Sequence, residues 1–245
     1  MNNNQLYKKG FIKKKIENNN LKKINLIRKK IELYSKKKLK IKKNFSLSKI
    51  HNLFNQNDFN NFRLDLIKMM NNIPNLNKTL FNIFKKDLLD IFGSDISGQK
   101  NINLAIQRPN DLDRPQLHRD SPPGSRYEIV LWVPLVDCIN SMNMIFFPIE
   151  NIKFVKNSLL KKNLNQIKIA ENYGHKIKNV KYGEYLIFLS KVYHYIPINL
   201  EKNTRWSLNF RYKNTFTPYG KKGYLDYFEP INYSKITDAA IKNDE

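Results

Sequence analysis

The 245-residue sequence predicts a mainly β fold, a sandwich or barrel preceded by helices. Between Ser46 and about Phe92, apolar residues recur every three or four positions, which is typical of helices. After Gly98 the period falls to about two, and short apolar runs are separated by turn residues. Many short strands with turns between them are typical of a β-sandwich or β-barrel. The sequence therefore predicts helices first and a β core after them.

Two apolar stripes predict the helices, and we interpret both stripes as core contacts. Pro74 ends the first stripe, which consists of Phe59, Phe62, Leu66 and Met70. Gly93 ends the second stripe, which consists of Leu80, Phe84, Leu88 and Ile91.

Six later segments alternate or are rich in β-forming residues, and we expect each to contain a strand. They are Asn101–Gln107, Tyr127–Val136, Met142–Phe147, Glu184–Leu189, Val192–Ile198 and Arg205–Tyr212. The aromatic, turn-rich segment from about Phe216 should wrap around this core. The predicted domain over residues 46–245 thus has helices over 46–98, a β core over 99–215 and a tail over 216–245.

A basic segment precedes this domain. Residues 1–43 carry sixteen Lys and Arg against two Glu, which gives +14 of the total net charge of +23. Helical spacing within it predicts an amphipathic helix, with an apolar stripe of Leu21, Ile24, Ile27, Ile31 and Tyr34. We interpret residues 1–45 as a basic N-terminal extension. Such a helix can bind nucleic acid, an anionic surface or an acidic partner, although a solvated helix packed on the domain is the simpler interpretation.

The cellular compartment is indicated by three features. Cys138 is the only cysteine, which excludes an internal disulfide and fits a reducing cytosol. The longest apolar run, about residues 129–136, is too short to span a membrane. The N-terminus lacks the apolar stretch of a signal peptide. We therefore expect a cytoplasmic protein without a membrane span.

A His-x-Asp motif points to a metal site. His118 and Asp120 point to the same side of an extended backbone, because side chains repeat every two residues. The motif alone is weak, since a surface ion pair gives the same pattern. His194 follows a predicted strand and completes two imidazoles and one carboxylate, the ligand set of non-heme Fe(II) oxygenases. His175 is the alternative third ligand, but it lies in a predicted turn; His51, in the helical region, is interpreted as structural.

An arginine that can bind a carboxylate follows the candidate metal ligands in the sequence. Arg205 lies eleven residues after His194 on the next predicted strand, and Ser207 shares its face. Arginine can grip a carboxylate through two charge-assisted hydrogen bonds, and a serine hydroxyl can add a third. Together these residues indicate a site for Fe(II) and a 2-oxo acid. Arg211 on the same strand is the alternative cation.

The combined pattern resembles the phytanoyl-CoA-hydroxylase-like 2-oxoglutarate/Fe(II) oxygenases. It is carried by His118-x-Asp120, His194 and Arg205-x-Ser207. The chain is also similar to one branch of this family, found sporadically in bacterial carbohydrate-biosynthesis clusters, through Asn103–Gln107, Tyr127–Cys138 and Ser141–Pro148. The resemblance covers about residues 46–215 and leaves out residues 1–43. It implies a double-stranded β-helix, that is, a jelly-roll or cupin-like core.

The resemblance also implies an activity. His118, Asp120 and His194 would hold Fe(II), and Arg205 with Ser207 would hold the distal carboxylate of 2-oxoglutarate. The enzyme would then use O2 as a dioxygenase, which makes it an oxidoreductase. The branch implies hydroxylation of a sugar, a nucleotide-sugar or a related small precursor in surface carbohydrate biosynthesis.

Four further residues are weaker candidates for contact with the co-substrate or the substrate. Gln107 and Asn103 are polar positions on a strand that should line the core, and Gln107 is a candidate contact of the co-substrate. Gln116 shares the face of His118 by two-residue spacing. Trp132 is either a core residue or part of the pocket wall.

Three other functions remain open from the sequence. The same chemistry could act on a protein or nucleic acid docked by residues 1–45. A metal-dependent cupin isomerase would need neither Arg205 nor 2-oxoglutarate. A binding module would use the same fold without catalysis.

Overall fold

The computed structural model describes residues 4–41, 45–54, 58–112, 117–121, 124–159 and 165–243. The helices are α1 (Asn4–Lys9), α2 (Asn18–Lys38), α3 (Phe59–Asn71), α4 (Leu76–Phe92), α5 (Ile152–Leu159), α6 (Gln166–Tyr173) and α7 (Lys235–Asn243). The strands are β1 (Phe11–Lys15), β2 (Ile96–Gln99), β3 (Asn103–Gln107), β4 (Leu117–His118), β5 (Glu128–Pro134), β6 (Cys138–Ile139), β7 (Ile145–Phe146), β8 (His175–Lys176), β9 (Asn179–Val180), β10 (Glu184–Leu189), β11 (His194–Tyr195), β12 (Arg205–Asn214) and β13 (Phe228–Asn232). Short 3-10 helices span Leu47–Leu53, Asn140–Met142 and Ile149–Asn151.

The strands form two main antiparallel sheets. The major sheet has the order β1-β10-β5-β12-β2-β13, and β3 also pairs with β12. The minor sheet has the order β4-β11-β7-β8, and β6 pairs separately with β9. The long strand β12 pairs with β2, β3 and β5, so it links most of the major sheet.

The two faces of β12 have different environments because its side chains alternate. One face is apolar and packs under the helices: the Phe210 ring lies 5.8 Å from Phe84 of α4, and the Trp206 indole nitrogen donates to the Leu47 carbonyl at 2.8 Å. The opposite face is mostly polar and consists of Arg205, Ser207, Asn209, Arg211 and Lys213. The helical layer thus covers one side of the sheet and leaves the polar side for the interior between the sheets.

Aromatic contacts join the minor sheet to this inner face of the major sheet. The Phe146 ring of β7 lies 5.1 Å from Phe188 of β10 and stacks on Phe11 of β1 at 4.6 Å. The Phe188 ring also lies 5.1 Å from the His194 imidazole of β11. The polar face of β12 therefore looks towards the strands that carry the candidate metal ligands.

The N-terminal segment is integrated into the core. The predicted amphipathic helix is present as α2, with Ile24, Ile27 and Ile31 no more than 4% exposed. The strand β1 was not predicted, because three consecutive lysines follow its two apolar residues and hide the alternation. It pairs with β10 along its whole length. The division of the chain at residue 45 into an extension and a domain stays a prediction.

Most of the long elements agree with the sequence prediction. The two predicted helices correspond to α3 and α4, and strands β3, β5, β10 and β12 lie where alternation placed them. The predicted strand over 142–147 is shorter, since only Ile145–Phe146 pairs. The tail adds β13 at the edge of β2, ahead of α7. None of the helices in the described ranges is both long and apolar enough to cross a membrane.

Candidate metal centre

Pairing of two short strands brings the histidines together. Antiparallel pairing of β4 with β11 places His118 directly opposite His194, and their ring centroids are 4.3 Å apart. Asp120 follows two residues after His118. One nitrogen or carboxylate oxygen from each of the three side chains lies within 4.8 Å of the others. Within the described residues, this is the only group of three or more His, Cys, Asp or Glu side chains arranged to hold a metal ion.

The electrostatic state of His194 suits a metal ligand. Burial, and then the neighbouring His118, lower the pKa of His194 to about 4, so the ring is neutral at physiological pH. Only the neutral imidazole offers a lone pair to a metal. The Nδ1 atom lies 3.2 Å from the Val192 carbonyl oxygen, which favours a proton on Nδ1 and leaves Nε2 as the ligand atom.

Asp120 is held by an arginine that faces the cluster. The Arg211 guanidinium lies 3.0 Å from a carboxylate oxygen of Asp120. Burial raises the pKa of Asp120, but Arg211 and the two histidines more than offset this, so the pKa lies below its ordinary value. The carboxylate is therefore ionised, as coordination of a metal cation requires.

Arg211 also belongs to a wider buried network. Its guanidinium donates to the Tyr227 hydroxyl at 2.9 Å and to the Gln99 side-chain oxygen at 3.4 Å, and lies 4.0 Å from Glu128. The Glu128 side chain is fully buried, and burial raises its pKa. From the sequence, Arg211 is predicted only as an alternative anchor for the 2-oxo acid. The even spacing of six residues from Arg205 along the same strand was the available signal that Arg211 faces the same interior.

Arg205 lies on the same face of β12 but has no comparable partner. The residue is 5% exposed, its guanidinium donates to the Met142 carbonyl at 3.3 Å, and its Nε has no hydrogen-bond partner. No carboxylate among the described residues forms an ion pair with it. Burial lowers its pKa; burial also raises the pKa of the nearby Cys138 thiol to about 12, so that thiol is neutral.

Burying a cation without a counter-charge costs several kcal/mol (about 3–5 by analogy with broken buried pairs). An anionic ligand would remove this cost at Arg205. The residues around Arg205 therefore fit the distal carboxylate of a 2-oxo acid.

Ser207 and Gln107 lie beside Arg205. The fully buried Ser207 hydroxyl accepts a long hydrogen bond, 3.4 Å, from the Asn209 amide. Gln107 of β3 is directly opposite Arg205 and donates to the Pro197 carbonyl at 2.9 Å. The Gln107 side-chain oxygen is buried without a hydrogen-bond partner. Two buried polar atoms without partners, Arg205 Nε and Gln107 Oε1, thus lie at adjacent positions of the inner face.

The remaining candidate residues from the sequence differ in their burial and in their position relative to the cluster. Trp132 and Asn103 lie opposite Asn209 on its two sides, so both share the inner face, but Trp132 is buried and Asn103 is exposed. Gln116 lies outside the described residues. His175 is exposed on β8, where it pairs with Phe146 on the far side of His194 from His118, and it does not belong to the cluster.

Solved structures share this architecture. The non-heme monooxygenase ThoJ in complex with nickel matches with a TM-score of 0.53 and 11% identity, over 94% of this chain and 83% of that one. HygX from Streptomyces hygroscopicus, with nickel and 2-oxoglutarate bound, gives 0.54 and 11%, over 92% and 91%. The epimerase SnoN, in complex with Fe3+, alpha ketoglutarate and nogalamycin RO, gives 0.50 and 12%, over 90% and 85%. A scan with protein-family models and a search of curated proteins return no match.

These matches establish the fold class. The two facing antiparallel sheets with helices on the major sheet form a jelly-roll shared with these solved structures, as the family resemblance of the sequence implied. At 11 or 12% identity, the similarity establishes the fold and leaves the activity to be argued from the site.

Replacing His194 tests the cluster directly. Since losing even a hydrogen-bond partner of a metal ligand typically costs 10–100-fold in affinity, we expect His194→Ala to weaken Ni2+ binding by at least about 100-fold. His175→Ala is the matched control and should leave the affinity unchanged, because His175 is exposed and outside the cluster. Isothermal titration calorimetry measures both. Loss of binding in His175→Ala alone would show that the metal lies elsewhere.

Replacing Arg211 tests its role as the partner of Asp120. Arg211→Met removes the cation that pairs with the Asp120 carboxylate, and should lower the free energy of unfolding of the metal-free protein by about 3 kcal/mol. A bound metal ion then neutralises Asp120, so metal should stabilise the variant more than the parent. Urea unfolding with and without Ni2+ measures how much the metal stabilises the variant and how much it stabilises the parent. The double variant Asp120→Asn/Arg211→Met should lose less stability than Arg211→Met alone. Equal stabilisation of Arg211→Met and the parent by Ni2+ would contradict this role.

Proposed function

We propose that the protein is an Fe(II)- and 2-oxoglutarate-dependent oxygenase of the phytanoyl-CoA-hydroxylase-like type. One observation carries this proposal: the His118–Asp120–His194 cluster faces a strand on which Arg205 is buried without a counter-ion. A metal held only for structure would not need a buried cation nearby. A 2-oxo acid, with one end for the metal and a carboxylate at the other, accounts for both features.

The chain's own residues would bind and orient the reactants. His118, Asp120 and His194 would occupy one side of the metal, and Arg211 would keep the Asp120 carboxylate ionised and in place. When bound, Fe(II) and 2-oxoglutarate supply the O2 chemistry, in which 2-oxoglutarate becomes succinate and CO2 while the substrate is oxidised.

The co-substrate end of the site would be held by β12 and β3. Arg205 would grip the distal carboxylate of 2-oxoglutarate through parallel hydrogen bonds, and Ser207 would add another. The buried Gln107 oxygen would meet a donor or an ordered water there. Trp132 contributes buried apolar surface on the same inner face and would help to keep bulk water out.

For the substrate, we propose a sugar, a nucleotide-sugar or a related small precursor in bacterial surface carbohydrate biosynthesis, oxidised in the cytoplasm. This rests on the resemblance to the carbohydrate-cluster branch through Asn103–Gln107, Tyr127–Cys138 and Ser141–Pro148. Hydroxylation is the simplest outcome. Epimerisation is a second one, because SnoN, whose solved structure holds alpha ketoglutarate, is an epimerase.

Uncoupled turnover tests the reaction class without knowledge of the substrate. The purified protein should convert 2-oxoglutarate slowly to succinate, with Fe(II) and O2 both required, because the co-substrate chemistry proceeds to some extent without substrate. The measurement is succinate formation under air and under nitrogen, with and without Fe(II). His118→Ala should abolish it. An isomerase or a binding module of this fold would bind metal and form no succinate, which would reject the oxygenase.

Replacing Arg205 tests the co-substrate site. Truncating one partner of a buried charge pair costs about 2–5 kcal/mol, and ~1.4 kcal/mol is a factor of ten. Arg205→Ala should therefore raise the 2-oxoglutarate concentration needed for half-maximal turnover by at least about thirtyfold, with metal affinity almost unchanged. Arg205→Lys should rescue only part of this, since it keeps the charge and loses the two-pronged geometry. Ser207→Ala should act in the same direction and less strongly.

The control for Arg205 is a cation away from the interior. Arg108→Ala serves, because Arg108 pairs with Asp111 and lies over the Phe59 ring. It should leave the 2-oxoglutarate requirement unchanged. An equal effect of Arg205→Ala and Arg108→Ala would show that Arg205 does not bind the co-substrate.

A further inference from the structure

The solvent-facing side of α2 combines lysines with exposed leucines. At about 100° per residue, one side of this 21-residue helix is formed by Lys22, Leu26, Lys29, Lys30, Leu33 and Lys37. We call this set the outer face of α2. Its two leucines, 61% and 66% exposed, are seven residues apart, so they project together, two turns from each other.

Packing against the core accounts for the apolar residues on the inner side of α2 but not for the lysines and leucines of the outer face. Ile24, Ile27 and Ile31 are buried in the core, and this packing does not require the lysines of the outer face. The acidic residue of the helix, Glu32, lies at the flank and pairs with Arg28 at 3.0 Å. Among the described residues, no carboxylate forms an ion pair with a lysine of the outer face. The face therefore presents uncompensated positive charge around two solvated leucines.

The combination of lysines and exposed leucines favours one kind of anionic partner, a lipid bilayer, over another, a nucleic acid. Phosphate groups of a nucleic acid would be met by lysines, and hydrogen-bonding or aromatic side chains would make the remaining contacts. Leucine offers neither. At a bilayer, lysines lie at anionic headgroups while leucines enter the boundary with the acyl chains. A surface helix that places leucines within a field of lysines is therefore matched to an anionic lipid surface.

We propose that the protein docks on anionic lipid bilayers through the outer face of α2. This inference is independent of the oxygenase proposal, since it uses none of the candidate site residues. The helix packs against α3 and α4, and α4 packs on the apolar side of β12. The helical layer thus separates the docking face from the inner face of the major sheet, and docking leaves the metal-ligand cluster uncovered.

Vesicle binding tests the proposal with the full-length protein. We expect co-sedimentation with vesicles of phosphatidylcholine and phosphatidylglycerol, no binding to phosphatidylcholine alone, and weaker binding as salt is raised. Leu26→Ser/Leu33→Ser and Lys29→Gln/Lys30→Gln/Lys37→Gln should each lower the partition coefficient by about tenfold or more. These side chains are solvated, so the variants should fold, and circular dichroism checks this.

Matched controls use the same residue types elsewhere on the surface. Leu112→Ser/Leu200→Ser replaces two leucines that are 75% and 72% exposed, and Lys176→Gln/Lys178→Gln/Lys202→Gln removes the same charge as the lysine variant. Both should bind vesicles like the parent. Because Cys138 is the single cysteine and is buried, Leu33→Cys can carry a polarity-sensitive dye, whose emission should shift to the blue on anionic vesicles.

Several outcomes would overturn the proposal. These are absence of binding to anionic vesicles, an equal loss in the control variants, or a loss in the lysine variant without a loss in the leucine variant. The last result, together with tighter binding of single-stranded RNA that depends on the same lysines, would assign the outer face of α2 to nucleic acid.

Discussion

Strand β12 places the polar residues of the candidate site on one side of a sheet and the hydrophobic core on the other. Trp206, Leu208, Phe210 and Tyr212 lie under the helices, and the alternate residues face the interior between the sheets. Because the side-chain period is two, a shift of one residue in the pairing of β12 would exchange the two sets. The tight packing of the aromatic side chains therefore fixes the register that aims the arginines inwards. Stability of the core and geometry of the site are thus determined by the same pairing.

The two inward arginines show how environment separates the roles of identical residues. Arg211 lies near two carboxylates, Asp120 and Glu128, so the folded protein itself balances its charge. Arg205 lies six residues earlier, among a backbone carbonyl, a neutral thiol and a glutamine. One arginine thus pairs with a residue of the candidate metal centre, and the other has no counter-charge among the described residues. The difference arises from the strands that face each residue across the interior.

Local sequence patterns predicted the long elements and the inward-facing residues. Alternation over Arg205–Tyr212 was sufficient to place Arg205 and Ser207 together, and the two-residue spacing of His118 and Asp120 anticipated their common direction. The two-residue strands β8 and β9 are too short to show a periodicity, and they are defined only by their pairing with β7 and β6, which are equally short. The contact of Arg211 with Asp120 joins residues from distant parts of the chain, so spacing along the sequence could not reveal it. The same holds for β1, whose partner is known only from the folded sheet.

The pairing of β1 with β10 has a consequence for how the chain folds. Phe11 lies opposite Phe188, so β1 is made long before its partner strand and must wait for the residues between them before it can pair. Sheets that depend on such distant contacts fold slowly, because the loop must close before the contact stabilises it. Until the two strands pair, β1 is an unpaired strand and β10, once made, has an unpaired edge, and both are sites for association with other chains. The lysines Lys13, Lys14 and Lys15 keep the waiting strand charged, and like charges on two copies oppose their pairing. The lysine run that hides the alternation of β1 in the sequence thus also opposes pairing of this strand with a second copy of itself.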